Sequence, residues 1–228
     1  MNRDLLLTAT ELERDGIADR CDFPGDRVHA EAIGVGLVAA AINAMQALQR
    51  YQPRRVIVAG IAGRFAPPEH ATDTEQAGGT EQASKCPPQA QWLQRLAIDG
   101  IGVGQAAQFI DPQDLGWDFA GKGTRYLDCA LPCPVDQVPH LADGSLVSVC
   151  AASADAVDAQ WRQQRFPDAV AEDMESYAVV KACQTLGVPV FVLRGYSNWV
   201  GQRDHSSWQI TPALQSVADQ LQWFWSSC

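Results

Sequence analysis

The chain has 228 residues, of which 46% are hydrophobic and 19% are charged, and its formal net charge is −10. This composition predicts one globular domain, residues 1–228, with a sizeable core. The acidic balance argues against a nucleic-acid-binding surface, because phosphate contacts need clustered Lys and Arg. We therefore expect a small-molecule partner and no nucleic acid.

The seven cysteines are odd in number and scattered, with no C-x-x-C pair. That pattern predicts free thiols in a reducing compartment. Near the N-terminus only three apolar residues are consecutive, Leu5 to Leu7, too few for the core of a signal peptide. No run approaches the ~20 apolar residues that span a bilayer. We expect a soluble, cytoplasmic protein that makes no membrane contact.

Apolar runs and helical periodicity alternate along the chain, which indicates an α/β layered fold. The predicted strands are 5–8, 28–33, 56–59, 146–150 and 188–193, with 101–110 as a further candidate. The predicted helices are 37–50, 155–165, 173–186 and 212–225.

One stretch interrupts this alternation. Residues 66–90 contain four prolines and two adjacent glycines and no large apolar side chain. Such a segment buries too little surface to offset its ordering entropy. We predict a flexible surface insertion at about 66–98 within the single domain.

Three familiar motifs are incomplete. Gly34-Val35-Gly36 follows a predicted strand and precedes a helix, as in a dinucleotide site, but residues 58–61 lack the acidic residue which that site needs. These glycines are better explained by close approach of the backbone to a small ligand or a neighbouring strand.

The residues 204–207 include Asp, His and Ser, but as sequence neighbours they do not form a hydrolase triad. The four histidines lack paired metal spacing, so we expect no metal and no cofactor.

Two segments suggest a ligand site. Glu175 is predicted in the first turn of the helix 173–186, where an acid can simply stabilise the helix dipole by ~0.3–1 kcal/mol. With the apolar Met174 beside it, the carboxylate can instead hold two vicinal ribose hydroxyls while the thioether packs against the sugar. Asn198 follows a predicted strand, where ligand pockets of α/β sheets form, although an Asx turn explains it equally well.

Four segments resemble the nucleoside phosphorylase/nucleosidase superfamily, and in particular its futalosine hydrolases, which act in menaquinone biosynthesis. The longest string, S-N-x-x-G-x-R-D-x-x-x-W, is more similar to futalosine hydrolases than to adenine-specific nucleosidases, and Asp114-Leu115-Gly116 is a further likeness. Leu37 departs from the superfamily, which commonly has Lys there. The four segments are A-T-E-L-E at 9–13, G-V-G at 34–36, G-I-A-G at 60–63, and D-M-E at 173–175 followed by the string at 197–208.

The resemblance implies a three-layer α/β/α nucleoside-phosphorylase-like fold with a central mixed sheet. It also implies that Glu13 is the base that activates the attacking water. Glu175 would hold the ribose 2′ and 3′ hydroxyls, and Met174 would pack against the sugar. The backbone at Ala62 and Gly63 would approach the sugar and the water.

Asn198 occupies the position where adenine-specific nucleosidases carry a catalytic Asp. An amide NH₂ can donate to O6 and N7 of a 6-oxopurine, whereas an ionised Asp can donate to neither. The chain is therefore expected to release hypoxanthine. Because an amide cannot protonate N7, either N7 stays hydrogen-bonded as charge builds or Asp204 assists through water; both alternatives stay open.

The implied activity is hydrolysis of the N-glycosidic bond of futalosine, releasing hypoxanthine and dehypoxanthine futalosine, by a homodimer or larger homo-oligomer without a cofactor. The first alternative is a methylthioadenosine/S-adenosylhomocysteine nucleosidase, which Asn198 disfavours. A phosphorolytic purine nucleoside enzyme is the second, although residues 16–20 lack a phosphate cradle. A nucleoside-binding protein without catalysis is the third. The residues that recognise the substrate tail are not identified; the aromatic candidates are Phe65, Phe109, Trp199 and Trp208.

Overall fold

A computed structural model describes residues 3–66, 85–104, 108–117 and 126–227. The strands are β1 (Asp4–Thr8), β2 (Val28–Ala32), β3 (Arg55–Arg64), β4 (Ala90–Leu93), β5 (Arg95–Asp99), β6 (Tyr126–Asp128), β7 (Ser145–Val149), β8 (Ala169–Asp173) and β9 (Val190–Trp199). The helices are α1 (Glu11–Ala18), α2 (Leu37–Tyr51), α3 (Ala156–Arg165), α4 (Ser176–Leu186) and α5 (Ile210–Ser227). Within these described residues, no helix is both long and apolar enough to cross a membrane.

The nine strands found within the described residues join one mixed sheet. Its order is β2-β1-β3-β8-β7-β5-β6, and β9 pairs with both β3 and β4. The pairs β1–β2, β1–β3, β3–β9, β5–β7 and β7–β8 are parallel. The pairs β3–β8, β4–β9 and β5–β6 are antiparallel. The predicted central mixed sheet is confirmed.

Helices cover both faces of the sheet, as the continuous apolar strands predict. Successive side chains of a strand point to opposite faces, so Leu5 and Leu7 of β1 join one core cluster, with α2 and α4. Leu6 joins a second cluster, with α1 and α5. The result is the α/β/α layering expected from the alternating elements.

One predicted helix begins later than expected. Residues 169–173 form β8, and α4 starts only at Ser176, so the prediction of a helix from Asp173 is wrong. The physical reason is that Asp173 is buried and pairs with Ser148 of β7 as the last residue of β8, a tertiary contact that overrides local propensity. The candidate strand 101–110 is also wrong, since its described part contains one isolated bridge, Val103 to Ile110.

The predicted insertion is too long at its C-terminal end. Residues 90–93 and 95–99 are β4 and β5, so the boundary at 98 is wrong. Trp92 is 1% exposed and Leu96 is fully buried, and burial of such side chains is what orders these short strands. Residues 67–84, on which the rest of that prediction falls, lie outside the described residues.

Candidate active site

A cavity of about 370 Å³ opens where β1, β3, β8 and β9 end. Its size is that of a pocket for a small ligand. Carboxyl ends of parallel strands meet at one edge of a sheet, which is where α/β proteins bind ligands. Of the seven residues predicted for the site, six line this cavity, namely Glu13, Ala62, Gly63, Met174, Glu175 and Asn198.

Asp204 is the exception, since it is exposed and does not line the cavity. Its carboxylate caps the short turn His205–Ser207 and accepts hydrogen bonds from Ser206 N at 3.0 Å and Ser206 Oγ at 2.7 Å. These bonds lower the pKa of Asp204 below its ordinary value. The structure therefore does not bring Asp204 into the cavity with the other six residues, and its assistance through water stays a prediction.

Glu13 is held at the start of α1 with only 3% of its surface exposed. Thr10 and Glu13 form a capping box, in which Glu13 Oε2 accepts from Thr10 N at 2.9 Å and from Thr10 Oγ1 at 3.0 Å. Glu13 Oε1 accepts from Ile61 N at 2.9 Å. Three donors thus fix the carboxylate, and about one of its four acceptor positions remains for a ligand or water.

Arg194 lies on β9 beneath the site and is fully buried. Its guanidinium donates to Asp173 Oδ2 at 2.6 Å and to Ser176 Oγ at 2.9 Å, and it lies 3.7 Å from Glu175 Oε2. Arg194 Nη1 has no hydrogen-bond acceptor within the described part of the chain. A Cβ on Gly60 would lie 2.7 Å from this Nη1 and closer still to Glu13 Oε1, so glycine there allows both charged groups to approach β3.

Glu175 is the N-cap residue of α4 and is 6% exposed. Its Oε1 accepts from Gly36 N at 2.9 Å. Gly34 and Gly36 have φ angles of 85° and 90°, a backbone region that favours glycine. The sequence predicted that this glycine turn approaches a small ligand or a neighbouring strand, and the structure brings the backbone of Gly36 against the carboxylate of Glu175.

Burial, and after it the negative charge of Asp173, raises the pKa of Glu175 to about 7. Arg194 and the N–H of Gly36 oppose that shift. Near neutral pH, a small change in the surroundings of Glu175 can therefore change its charge.

Asn198 is buried at the end of β9, next to a register shift between β3 and β9. Its Oδ1 accepts from Ser197 Oγ at 2.8 Å, and its Nδ2 donates to Trp199 O at 2.8 Å. One N–H of the amide is left for the cavity. Local hydrogen bonds thus orient the amide so that it presents a donor, as the 6-oxopurine prediction requires.

Sequence reasoning missed three charged residues of this site. Arg194 and Asp173 carry the buried ion pair, and Glu172 lines the cavity beside them. The available signal for Arg194 was an arginine directly after the apolar strand Val190–Leu193. Of the four aromatic candidates for tail recognition, Trp208 lines the cavity, with the Arg203 guanidinium 5.2 Å from its ring centre.

The chain is similar to nucleosidases in sequence and fold. The profile of the Phosphorylase superfamily matches residues 130–223. A futalosine hydrolase of Streptomyces coelicolor is 29% identical over 236 residues, which covers 95% of this chain and 92% of the relative.

Two solved structures share the fold. The native futalosine hydrolase of Helicobacter pylori superposes with a TM-score of 0.73 at 15% identity, covering 100% of this chain and 98% of that one. The MTA/SAH nucleosidase of Streptococcus pneumoniae, solved with 8-aminoadenine, has a TM-score of 0.74 at 17% identity and covers 99% and 100%. The predicted resemblance is confirmed: the chain has the nucleoside-phosphorylase-like fold and is similar to futalosine hydrolases over nearly its whole length.

Proposed function

We propose that this protein is an N-glycosidase that hydrolyses futalosine to hypoxanthine and dehypoxanthine futalosine. The observation that carries the proposal is a cavity whose lining includes the buried carboxylates of Glu13 and Glu175 and the donor amide of Asn198. The similarity to a futalosine hydrolase over 95% of the chain supports this substrate over other purine nucleosides.

Glu175 binds the ribose in this proposal. An ionised carboxylate has two oxygens and accepts from two vicinal hydroxyls at once. The N–H of Gly36 donates to one oxygen of Glu175, and the Arg194 guanidinium lies near the other. These contacts hold the carboxylate in place and leave acceptor positions on both oxygens. Met174 lines the cavity beside it and supplies an apolar surface for the sugar.

Glu13 activates water. The C1′–N9 bond breaks, its electron pair leaves with the purine, and a water oxygen adds to C1′ while the water proton passes to Glu13. The uncommitted acceptor position of Glu13 receives that proton, while the donors on Thr10 and Ile61 hold the carboxylate in place. Positioning and general-base catalysis are the main contributions to rate.

Asn198 stabilises the departing base. As negative charge builds on the purine, the free amide N–H donates to an acceptor on its edge, a contact that strengthens in the transition state. A proton from solvent then completes hypoxanthine, because the amide has none to transfer.

The pH dependence of kcat/KM tests the role of Glu175. The carboxylate must be ionised to accept from both hydroxyls, and its pKa is about 7. We expect kcat/KM to fall about tenfold per pH unit below that value and to level off above it. In E175Q this acid limb should disappear, and kcat/KM at pH 8 should drop about 100-fold, since hydrogen bonds to a charged group contribute about 1.5–3 kcal/mol.

The exposed Glu11 provides the control for this pH profile. Its side chain is 79% exposed on α1, so E11Q should retain the acid limb of the wild type. An acid limb that persists in E175Q with the same midpoint would refute the assignment to Glu175.

Isotope labelling distinguishes hydrolysis from phosphorolysis. In H₂¹⁸O with phosphate present, hydrolysis places ¹⁸O on C1′ of dehypoxanthine futalosine, as mass spectrometry of the product would show. Formation of a sugar 1-phosphate without ¹⁸O at C1′ would overturn the proposal in favour of phosphorolysis.

We further propose that the protein acts in the cytoplasm as a homodimer or larger homo-oligomer. Apolar side chains at the mouth of the cavity and along α2 are unusually exposed, which supports a covered surface; they are Leu12 at 60%, Val35 at 58%, Val38 at 75% and Ile42 at 54%. Light scattering after size exclusion should give at least twice the mass of the 24.7 kDa chain, and V38D should reduce it to one chain.

A further inference from the structure

Two polar side chains flank a glycine at the floor of the cavity. Gly63 of β3 is in register with Glu172 of β8 on one side and with Asn198 of β9 on the other. Residues in register on neighbouring strands project to the same face of a sheet. Adjacent strands lie about 4.8 Å apart, so the two Cα atoms are separated by roughly 10 Å.

Neighbouring side chains approach the backbone of Gly63 closely. Gly63 has no side chain, and a Cβ there would already lie 3.1 Å from Val200 Cγ2 and 3.6 Å from Asn198 Nδ2. Glu172, Gly63 and Asn198 all line the cavity. A planar ring in the cavity can therefore present one edge to the carboxylate of Glu172 and the amide of Asn198, with Val200 packed beside Gly63.

Glu172 is 6% exposed and rigidly held. Its Oε1 accepts from Ser153 N at 2.8 Å, and its Oε2 accepts from Ser153 Oγ at 2.7 Å and pairs with the Arg162 guanidinium. Arg162 is in turn paired with the buried Asp99. A carboxylate offers about four acceptor positions, so Oε1 retains one that can serve a ligand.

The two side chains offer opposite hydrogen-bonding groups. The ionised carboxylate of Glu172 accepts and cannot donate, and Asn198 presents a donor because its Oδ1 is occupied by Ser197. A 6-oxopurine has the matching pattern, with a donor at N1–H and acceptors at O6 and N7. A 6-aminopurine has a bare N1 lone pair, which would face the carboxylate without a proton.

From this geometry we propose that Glu172 is a specificity-determining residue, which accepts the N1–H of a 6-oxopurine base while Asn198 donates to its O6/N7 edge. The inference rests on the proposed nucleosidase function and adds to it the residue that rejects adenine. Asn198 alone fixes only half of the pattern, because an N7 acceptor is common to both classes of purine. A structural role for Glu172, which holds Arg162 and Ser153, is the alternative.

Calorimetry with free hypoxanthine and adenine separates these roles. We expect the wild type to bind hypoxanthine at least tenfold more tightly than adenine. In E172Q the ratio of the adenine Kd to the hypoxanthine Kd should fall by about 10- to 100-fold. The matched control is D99N, which disturbs the same Arg162 network from a residue that does not line the cavity. D99N should keep the base preference of the wild type.

Each outcome decides the inference. Equal changes of base preference in E172Q and D99N, or an unchanged preference in E172Q, would overturn it. Should E172Q not fold, wild-type affinity for 1-methylhypoxanthine decides, because that base lacks the N1 proton and must bind at least tenfold more weakly than hypoxanthine. The proposed function fails separately, when the wild type releases no hypoxanthine from futalosine.

Discussion

Replacing Glu13 by Gln is expected to lower kcat on futalosine by about 10²–10⁴-fold, the usual contribution of a general base. Glutamine keeps the length of the side chain and can still accept from Ile61 N, which is 2.9 Å from Glu13 Oε1. It cannot take a proton from water. Binding of hypoxanthine, followed by calorimetry, should stay within a few-fold of the wild type.

The capping box gives this prediction its control. E13Q also turns an amide toward Thr10 N, so some helix stability is lost along with the base. T10A breaks the same cap, at a cost of about 1 kcal/mol, but leaves the carboxylate of Glu13 in place. The kcat of T10A on futalosine, measured from hypoxanthine release, should be far higher than that of E13Q. If E13Q turns over within tenfold of the wild type, Glu13 is not the base.

Replacing Arg194 by Met is expected to destabilise the protein by about 3–5 kcal/mol, because it leaves buried carboxylates without their counter-charge. Arg194 is fully buried and pairs with Asp173 at 2.6 Å and with Glu175 at 3.7 Å. Urea unfolding followed by tryptophan fluorescence measures the change in the free energy of unfolding. A change of this size is a large part of the stability of an ordinary domain.

The loss should depend on pH in a defined direction. Without Arg194, the pKa of Glu175 rises above the value of about 7 that it has with the arginine present. The folded state then holds protons more tightly than the unfolded state, so stability falls as pH rises. R194M should be less destabilised at pH 5.5 than at pH 8.

A surface arginine provides the comparison for R194M. Arg54 pairs with Asp4 at 3.1 Å but is 59% exposed, and exposed pairs contribute about 1 kcal/mol or less. R54M should therefore lose little stability at either pH. If R194M is as stable as R54M, the buried charge cluster does not hold the site together.

The fold could be read from the sequence where burial follows local pattern. The apolar run at 56–59 and the alternation of strands with helices predicted the layers, because buried parallel strands must be apolar on both faces. β8 and α4 could not be separated, since Ala169–Asp173 is ordered by its neighbours β7 and β3 and not by a periodicity of its own. β4 and β5 were hidden for the same reason, behind a proline-rich stretch.

The site could be read only in part. Residues in the resembling segments, such as Glu13, Glu175 and Asn198, came together as expected, because the ends of parallel strands meet at one edge. Glu172 could not be recognised, since its position beside Gly63 arises from the antiparallel pairing of β3 with β8. Asp204 is in the same resembling string as Asn198, but it caps the following turn His205–Ser207 and is exposed.

The buried carboxylates Glu13 and Glu175 explain the positions of two glycines in the site. Gly36 supplies an N–H to Glu175, and Gly60 makes room for Glu13 and Arg194. A carboxylate with an elevated pKa next to a fully buried guanidinium is costly to build. Such a cost is expected at a site that must bind hydroxyls and move protons, rather than in a purely structural core.

The most direct test is hypoxanthine release from futalosine in phosphate-free buffer, with inosine and methylthioadenosine as parallel substrates. We predict fast release of hypoxanthine from futalosine and none of adenine from methylthioadenosine, because Asn198 presents a donor to the O6/N7 edge and, in the proposed arrangement, Glu172 presents only acceptors to N1. Adenine release from methylthioadenosine would contradict the assigned base preference. Binding of all three nucleosides without turnover would contradict the enzyme itself.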